Sequence, residues 1–458
     1  MFRERTIVVI GVILFTFLFF YFYPINIGIV DETAYLSMTY AFQNGKLYYD
    51  SAGIESAPAS MITNGHLVSR YPPGNSILLL PFSVVHWKWI FLRGYILMII
   101  GLIIFILILS HYRLPLYYAL LFLFHPSLLL YSRTIMSDLP STIFSLLGLL
   151  FLMKRRIFLS SILFGLSIAI RYPIVLVPAS SGLIFLYRRQ IKALIRLLVG
   201  VLIGIVPLLL YNIICFKTFT GPVKANIVGF SLANLPAMFI QFFVSMNILY
   251  PLLFITAFKT KIKEKWFFIL PALLFLLFFS LQYFMDTGKN FLETIILGQR
   301  YMLPVVPFLL IPYIEVLNQI RLNKIVLIFC LGLIVLGACL HNKHEQYLKQ
   351  QSAYQNKLYQ YTQGAETIVC NKDVYELINP FIKSIKWISF ESEGKLLQFS
   401  ISEDNQSVYL ACLAREEYVR KIFVDLLNKF PARQEIYSEN IPYYFSIWQL
   451  KEQLKQDL

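Results

Sequence analysis

The chain has 458 residues, 58% of them apolar and only 14% charged, with a mean hydropathy of +0.65. A soluble domain of this size has too little polar surface to hide so much apolar side chain, so a soluble globular protein is excluded and a polytopic membrane protein is indicated. The net charge of +15 does not mark a nucleic-acid binder: residues 1–340 carry 26 Lys and Arg against 10 Asp and Glu, whereas residues 341–458 carry 14 against 15. The excess thus belongs to loops of the apolar part, where it sets orientation, and no basic face is left over.

In chain order, residues 1–6 precede an apolar run at 7–23 that is long enough to span and has no small-residue cleavage site, so it reads as a first transmembrane helix and not a signal peptide. Further apolar windows fall at 93–110, 114–130, 139–153, 157–170, 173–186, 194–213, 237–257, 266–284, 301–317 and 324–340, giving about eleven spanning helices. With a cytoplasmic N-terminus, the basic clusters alternate correctly. Arg113, then Lys154 to Arg156, Arg188, Arg189 and Lys192, the four lysines between Lys259 and Lys265, and Arg321 with Lys324 all fall inside. The outer loops after the first hold single, isolated cations, namely Arg133, Arg171, Lys217, Lys224, Lys289 and Arg300, and these are the ones to suspect of function.

The first outer loop, residues 24–92, is too long for a connector. Residues 32–44 have helical content, with Gly45 placed to end the helix and Tyr35, Met38 and Phe42 on one face, as suits a helix lying at the membrane surface. A Ser, Ala, Gly and Pro-rich stretch at 51–65 reads as mobile. Arg70-Tyr71-Pro72-Pro73-Gly74 then interrupts regular structure ahead of an apolar segment at 77–87 that is too short to span.

From His341 onward short β-rich pieces (367–370, 385–390, 408–413, 443–448) alternate with helical ones (372–377, 416–429), as in a small extracytoplasmic α/β domain at 341–458. Cys370 and Cys412 lie in this tail, where a disulfide is allowed; Cys215, Cys330 and Cys339 sit in or beside apolar runs as packing residues. No Cys or His spacing suggests zinc, and no internal repeat supports an inverted-repeat transporter.

Two acidic turns stand out: Asp31-Glu32 with Ala34-Tyr35, directly after the first span, and Arg133 to Asp138 with Leu139-Pro140. On the topology above they share the outer side, and they read as one active site. With Arg70 to Gly74 and Gln299-Arg300-Tyr301-Met302-Leu303-Pro304 they form an ordered series. That series resembles the GT-C superfamily of polyprenyl-phosphate-dependent glycosyltransferases, most closely the branch with protein O-mannosyltransferases and lipid A aminoarabinose transferases. The resemblance covers residues 1–340 and implies a GT-C-like α-helical membrane domain that includes the 24–92 loop. It also implies transfer of a sugar from a lipid-phosphate donor to an acceptor on the extracytoplasmic face of a cell membrane.

The chemistry asks for a carboxylate to take the acceptor proton and for cations on the departing phosphate. The resemblance makes Asp31 the base and Asp138 the second acid, with Glu32 beside them. Arg300, Arg70, Arg133 and Arg171 become candidates for the donor phosphate, and Tyr71, Tyr301 and His66 substrate contacts. Each has a structural counter-reading: Asp31 and Asp138 are good helix N-caps, each Arg can snorkel to headgroups, and a lone His66 in a loop is usually solvated. No obligatory metal is expected, although Mg or Mn is compatible with some relatives. Expected partners are the lipid-linked donor, a glycolipid, polysaccharide or protein acceptor, and membrane lipids. A transporter or flippase of a lipid-linked saccharide is the rival reading, and an inactive scaffold a third. A translocator should carry acids at mid-membrane depth, and Glu315 is the main acid within a span.

Overall fold

A computed structural model describes residues 2–50, 59–63, 66–222, 229–282, 295–297, 299–320, 323–365, 367–382, 386–389, 408–428, 433–440 and 442–450. The chain divides into two compact units. The first holds Met1–Tyr23, Pro72–Phe82 and Trp89–His344; the second holds Pro24–Tyr71, Ser83–Lys88 and Glu345–Leu458. Most of the outer loop therefore folds with the tail, where the sequence had placed it with the membrane part.

With a single antiparallel bridge between Phe230 and Gln282, the described residues of the first unit are mostly helical. Among these, five helices are long and apolar enough to cross a membrane, or six if Ile295–Met302 and Val306–Gln319 make one bent span. Shorter apolar helices cover Asp138–Met153, Ile157–Ile170, Tyr172–Tyr187 and Trp266–Ser280. The apolar windows read from the sequence are largely helical, but three are broken. Residues 114–130 split around Phe124 and His125 into Ala119–Leu123 and Pro126–Ser132, 237–257 splits into Leu235–Leu249 and Leu253–Lys259, and in 301–317 a turn at 303–305 parts Gln299–Met302 from Val306–Gln319. Proline explains the first break: Pro126 cannot donate to the preceding turn, and His125 caps the new helix by accepting from the Leu128 N–H.

With no water to drive them together, helices in lipid pack through small residues and polar contacts. Gly200 and Gly204, four apart on Ile191–Phe216, bring that helix against Ile157–Ile170 so closely that a Cβ on Gly204 would lie 2.3 Å from the Ile162 carbonyl oxygen. Serines join Ile157–Ile170 to Asp138–Met153: Ser167 Oγ lies 2.9 Å from Ser145 Oγ and donates to the Ser141 carbonyl, and Ser160 donates to the Gly148 carbonyl. Gly94 makes the tightest of these approaches, since a Cβ there would fall 1.7 Å from the Ser132 carbonyl oxygen. Gly94→Ala must push the Leu92–His111 helix off the turn after Ser132. The expected cost is about 1–3 kcal/mol, read as a lower thermal midpoint in detergent; an unchanged midpoint would show that the two segments part freely.

In the second unit the helix expected at 32–44 runs over Val30–Gln43 and is ended by Gly45 in the left-handed region (φ +70°), but Glu32 and Thr39, which a helix lying on a membrane surface would turn to water, are buried. Three short strands follow, β1 (Tyr49–Asp50), β2 (Ser60–Thr63) and β3 (His66–Ser69), in an antiparallel sheet ordered β1-β3-β2. The stretch read as mobile thus contributes β2; its residues 51–58 and 64–65 lie outside the described ones.

The tail builds a second sheet from β4 (Thr367–Cys370), β5 (Lys386–Ser389), β6 (Val408–Ala414), β7 (Arg433–Glu439) and β8 (Tyr444–Leu450) in the order β5-β4-β6-β8-β7. The near-continuous apolar run of β6 suits a central strand covered on both faces, whereas polar β7 forms an edge. Leu67 of β3 lies in the same apolar core as Ile368, Leu410, Phe423 and Phe445, which fastens the loop to the tail. Cys370 and Cys412 are buried and form no disulfide with each other: Cys370 pairs with Ala411, so alternation turns Cys412 to the other face.

Candidate active site

The sequence-derived residues fall into two groups, one in each unit. In the helical unit Asp138 is fully buried at the first position of the Asp138–Met153 helix, with Ser137, not Asp138, as the N-cap residue. Its carboxylate faces two guanidinium groups instead: Arg171 Nη2 lies 3.1 Å from Oδ1 and Arg300 Nε 3.5 Å from Oδ2. Among the described residues none gives either oxygen a well-angled hydrogen bond, so Asp138 is held there by charge, aided by the positive end of its helix. Arg171 also donates to Ser137 Oγ at 3.1 Å.

Tyr301 lies beside both arginines, each Cζ 5.7 Å from its ring centre, and stacks on Phe279 at 4.7 Å. One carboxylate against two guanidiniums sums to +1, and Arg171 and Arg300 each keep about a tenth of their surface open (9%). Such a cluster can accept an anion with the bidentate geometry that guanidinium offers phosphate.

Arg133 is placed differently. Its buried guanidinium donates to the Phe22 carbonyl and to the His341 carbonyl at 3.2 Å, lies 3.1 Å from His341 Nδ1, and packs on the Phe22 ring, so it ties the end of the first helix to the last one. Among the other isolated outer cations, Lys217 is an exposed helix C-cap, and Lys224 and Lys289 lie outside the described residues.

Arg93 escaped sequence reading, where it only marked the edge of an apolar run. It is buried and donates to Asn75 Oδ1, to the Met136 carbonyl at 3.0 Å and to the Thr134 carbonyl at 3.4 Å, while Asn75 donates to the Ile135 carbonyl at 2.8 Å. Three consecutive carbonyls before Asp138 are thus bracketed from outside the turn. An Arg at the start of an apolar helix was the available signal.

In the second unit Asp31 occupies the first turn of Val30–Gln43, with Ile29 as the N-cap residue, so Asp31 does not cap the helix either. Asp31 Oδ1 accepts from the Tyr71 hydroxyl at 2.6 Å, and the Tyr71 ring stacks on Tyr35 at 5.0 Å with Arg70 Cζ 5.8 Å from its centre. Burial first, and the Asp31 charge next, hold the Tyr71 hydroxyl well above its ordinary value of 10.0. Glu32 is buried and accepts from the Gly28 N–H at 2.7 Å, so it fixes the approach to the helix. His66 begins β3, half-buried, with its ring 3.7 Å from that of Tyr48. Among the described residues no three His, Cys, Asp or Glu side chains group as metal ligands.

The fold that carries these residues is shared with solved structures of ArnT. The solved structures that share it include ArnT from Cupriavidus metallidurans in the apo state (TM-score 0.64, 11% identity, 96% of this chain and 97% of that one). They also include the same protein bound to undecaprenyl phosphate (TM-score 0.63, 12% identity, 98% and 99%). No protein-family model and no curated protein matches the chain. The likeness is one of fold, and it extends over nearly the whole length of both chains.

Proposed function

We propose that this protein is a multi-pass membrane glycosyltransferase that moves a sugar from a polyprenyl-phosphate donor to an acceptor outside the cytoplasm, with inversion. The observation that carries the reading is the fold shared with ArnT over 96–98% of the chain, one of whose structures holds undecaprenyl phosphate. The buried two-arginine cluster around Asp138 supports it, because a lipid phosphate needs such cations more than it needs a proton donor. In this reading the shorter apolar helices complete further crossings, the N-terminus is cytoplasmic and the tail extracytoplasmic.

The acceptor oxygen attacks the anomeric carbon, the bond from that carbon to the phosphate oxygen breaks, the acceptor proton passes to Asp31, and polyprenyl phosphate departs with the bonding pair. Arg171 and Arg300 hold the phosphate, Asp138 keeps their forks in place, and Tyr301 orients them. Arg70 and Tyr71 line the Asp31 side of the reaction. Asp138 is a poor ligand for a divalent cation because its charge is already opposed by two guanidiniums, so no step is routed through a metal.

The test is purified protein in nanodiscs, given labelled polyprenyl-phosphate sugars and glycolipid, polysaccharide and peptide acceptors, with the anomeric configuration of product read by NMR. Transfer with inversion is expected; a retained configuration contradicts direct displacement.

Tyr71 adds a pH prediction. A raised value keeps its hydroxyl protonated as pH rises, so donation to Asp31 persists through pH 10, and the alkaline limb of transfer should carry no break from this group. Tyr71→Phe should lower kcat about tenfold or more, as the loss of one hydrogen bond to a charged group (about 1.5–3 kcal/mol) implies, and leave that limb where it was. A limb that moves in the variant would mean that Tyr71 itself titrates there.

A further inference from the structure

The helix that carries Asp31 begins without an ordinary cap, since Ile29 at the N-cap position has no side-chain oxygen to offer. Side chains hold both backbone groups of the preceding Gly28 instead. Glu32 accepts from its N–H at 2.7 Å, half of a capping box moved one residue outward, and the Tyr347 hydroxyl donates to its carbonyl at 2.7 Å. The space is close: a Cβ on Gly28 would meet Leu348 Cδ2 and Tyr347 Cε1, each at 3.2 Å.

Tyr347 is fixed in turn by Arg415, at the end of β6. The Arg415 guanidinium lies over the Tyr347 ring at 6.0 Å and donates to its hydroxyl at 3.5 Å. Asp373 at 3.3 Å and Glu376 at 3.2 Å bracket Arg415. A chain of polar contacts therefore runs from the ion pairs of the tail through Tyr347 to Gly28, three residues before Asp31.

We propose that Tyr347 is a positioning residue for Asp31, and that the tail thereby takes part in the reaction by holding the first turn of the helix that carries the base. The proposal rests on the reading of Asp31 as that base. An uncapped helix start frays, and a carboxylate in a frayed first turn moves relative to the proton it must take; a misplacement of about 1 Å can cost about 10²-fold in rate.

Tyr347→Phe keeps the ring and removes only the hydroxyl. kcat for transfer should fall about tenfold with donor KM unchanged within about twofold, and amide exchange at residues 28–33 should quicken. In an Asp31→Asn background the same change should cost nothing further, because there is no base left to position. Arg415→Gln, which leaves Tyr347 in place, should give the same pattern at smaller amplitude. Unchanged exchange at residues 28–33, or an equal fold-loss in both backgrounds, overturns the proposal. If Asp31→Asn transfers sugar at the wild-type rate, the base reading falls and the positioning role with it; quickened exchange in Tyr347→Phe would then show a contact that serves the fold alone.

Discussion

Asp31→Asn is expected to lower kcat for sugar transfer by about 10²- to 10⁴-fold, the range for removal of a positioned general base. The substitution keeps the size of the side chain and an oxygen that can still accept from the Tyr71 hydroxyl, so the Asp31–Tyr71 contact and its stacking on Tyr35 should survive. What is lost is the basicity. Donor KM should therefore stay within a few-fold of wild type while kcat falls, the mark of an interaction needed only in the transition state. Burst experiments with pre-bound donor would locate the loss in the chemical step. A variant whose kcat is unchanged removes Asp31 from the mechanism whatever happens to KM.

Asp138→Ala should produce the largest loss of stability in the molecule. The two guanidiniums it faces are about nine-tenths buried, and without the carboxylate they sit close together in a medium that solvates charge poorly. Breaking a buried pair by removing one partner costs about 3–5 kcal/mol, because the charge left behind has no compensation. A sharp fall in thermal midpoint and in folded yield is expected. Adding Arg171→Met should recover part of the loss, since the pair then gives way to apolar packing against Tyr301. If the double variant is less stable than Asp138→Ala alone, Arg171 contributes through its contact with Ser137 and not through charge. Transfer should be absent from both variants, because the arginines lose the partner that holds them ready for phosphate.

Much of the helical unit was legible because lipid imposes long apolar windows, and those windows are where the helices lie. Their breaks were less legible: Pro126 was visible, but whether a proline ends a helix or only bends it depends on what satisfies the backbone groups at the break, and here the His125 side chain takes up the Leu128 N–H. The Gly200 and Gly204 spacing is a small-xxx-small signal that the sequence reading passed over, and it marks a close helix approach. In the tail, β4, β5, β6 and β8 announced themselves by β-branched and aromatic residues, whereas polar β7 did not, because an edge strand needs no apolar face. The helix Asn323–Tyr361 also runs well past residue 340, where the fall in hydropathy had suggested a domain boundary.

Local pattern recognises chemistry better than it recognises partners. Arg171 and Arg300 were suspect as isolated cations on the side where bias disfavours them, and they meet at Asp138. Arg133 passed the same filter, yet it directs its guanidinium to the Phe22 carbonyl and His341, contacts made across more than a hundred residues of chain. Arg93, Tyr347 and Arg415 were not singled out at all, since their roles come from backbone carbonyls and side chains that only the fold brings near. The counter-reading of Asp31 and Asp138 as caps arose because Asp is favoured there; in each case the helix starts one residue earlier or the neighbour takes the cap, and the carboxylate is left for Tyr71 or for two arginines.

The central claim is tested most directly by following a donor labelled in both its sugar and its lipid phosphate, in proteoliposomes with acceptor on one side. A glycosyltransferase separates the two labels, with one polyprenyl phosphate released for each sugar found on the acceptor, and Asp31→Asn abolishes the separation. Intact donor carried to the opposite leaflet with both labels together, at a rate that Asp31→Asn leaves unchanged, would contradict the account and make the protein a translocator.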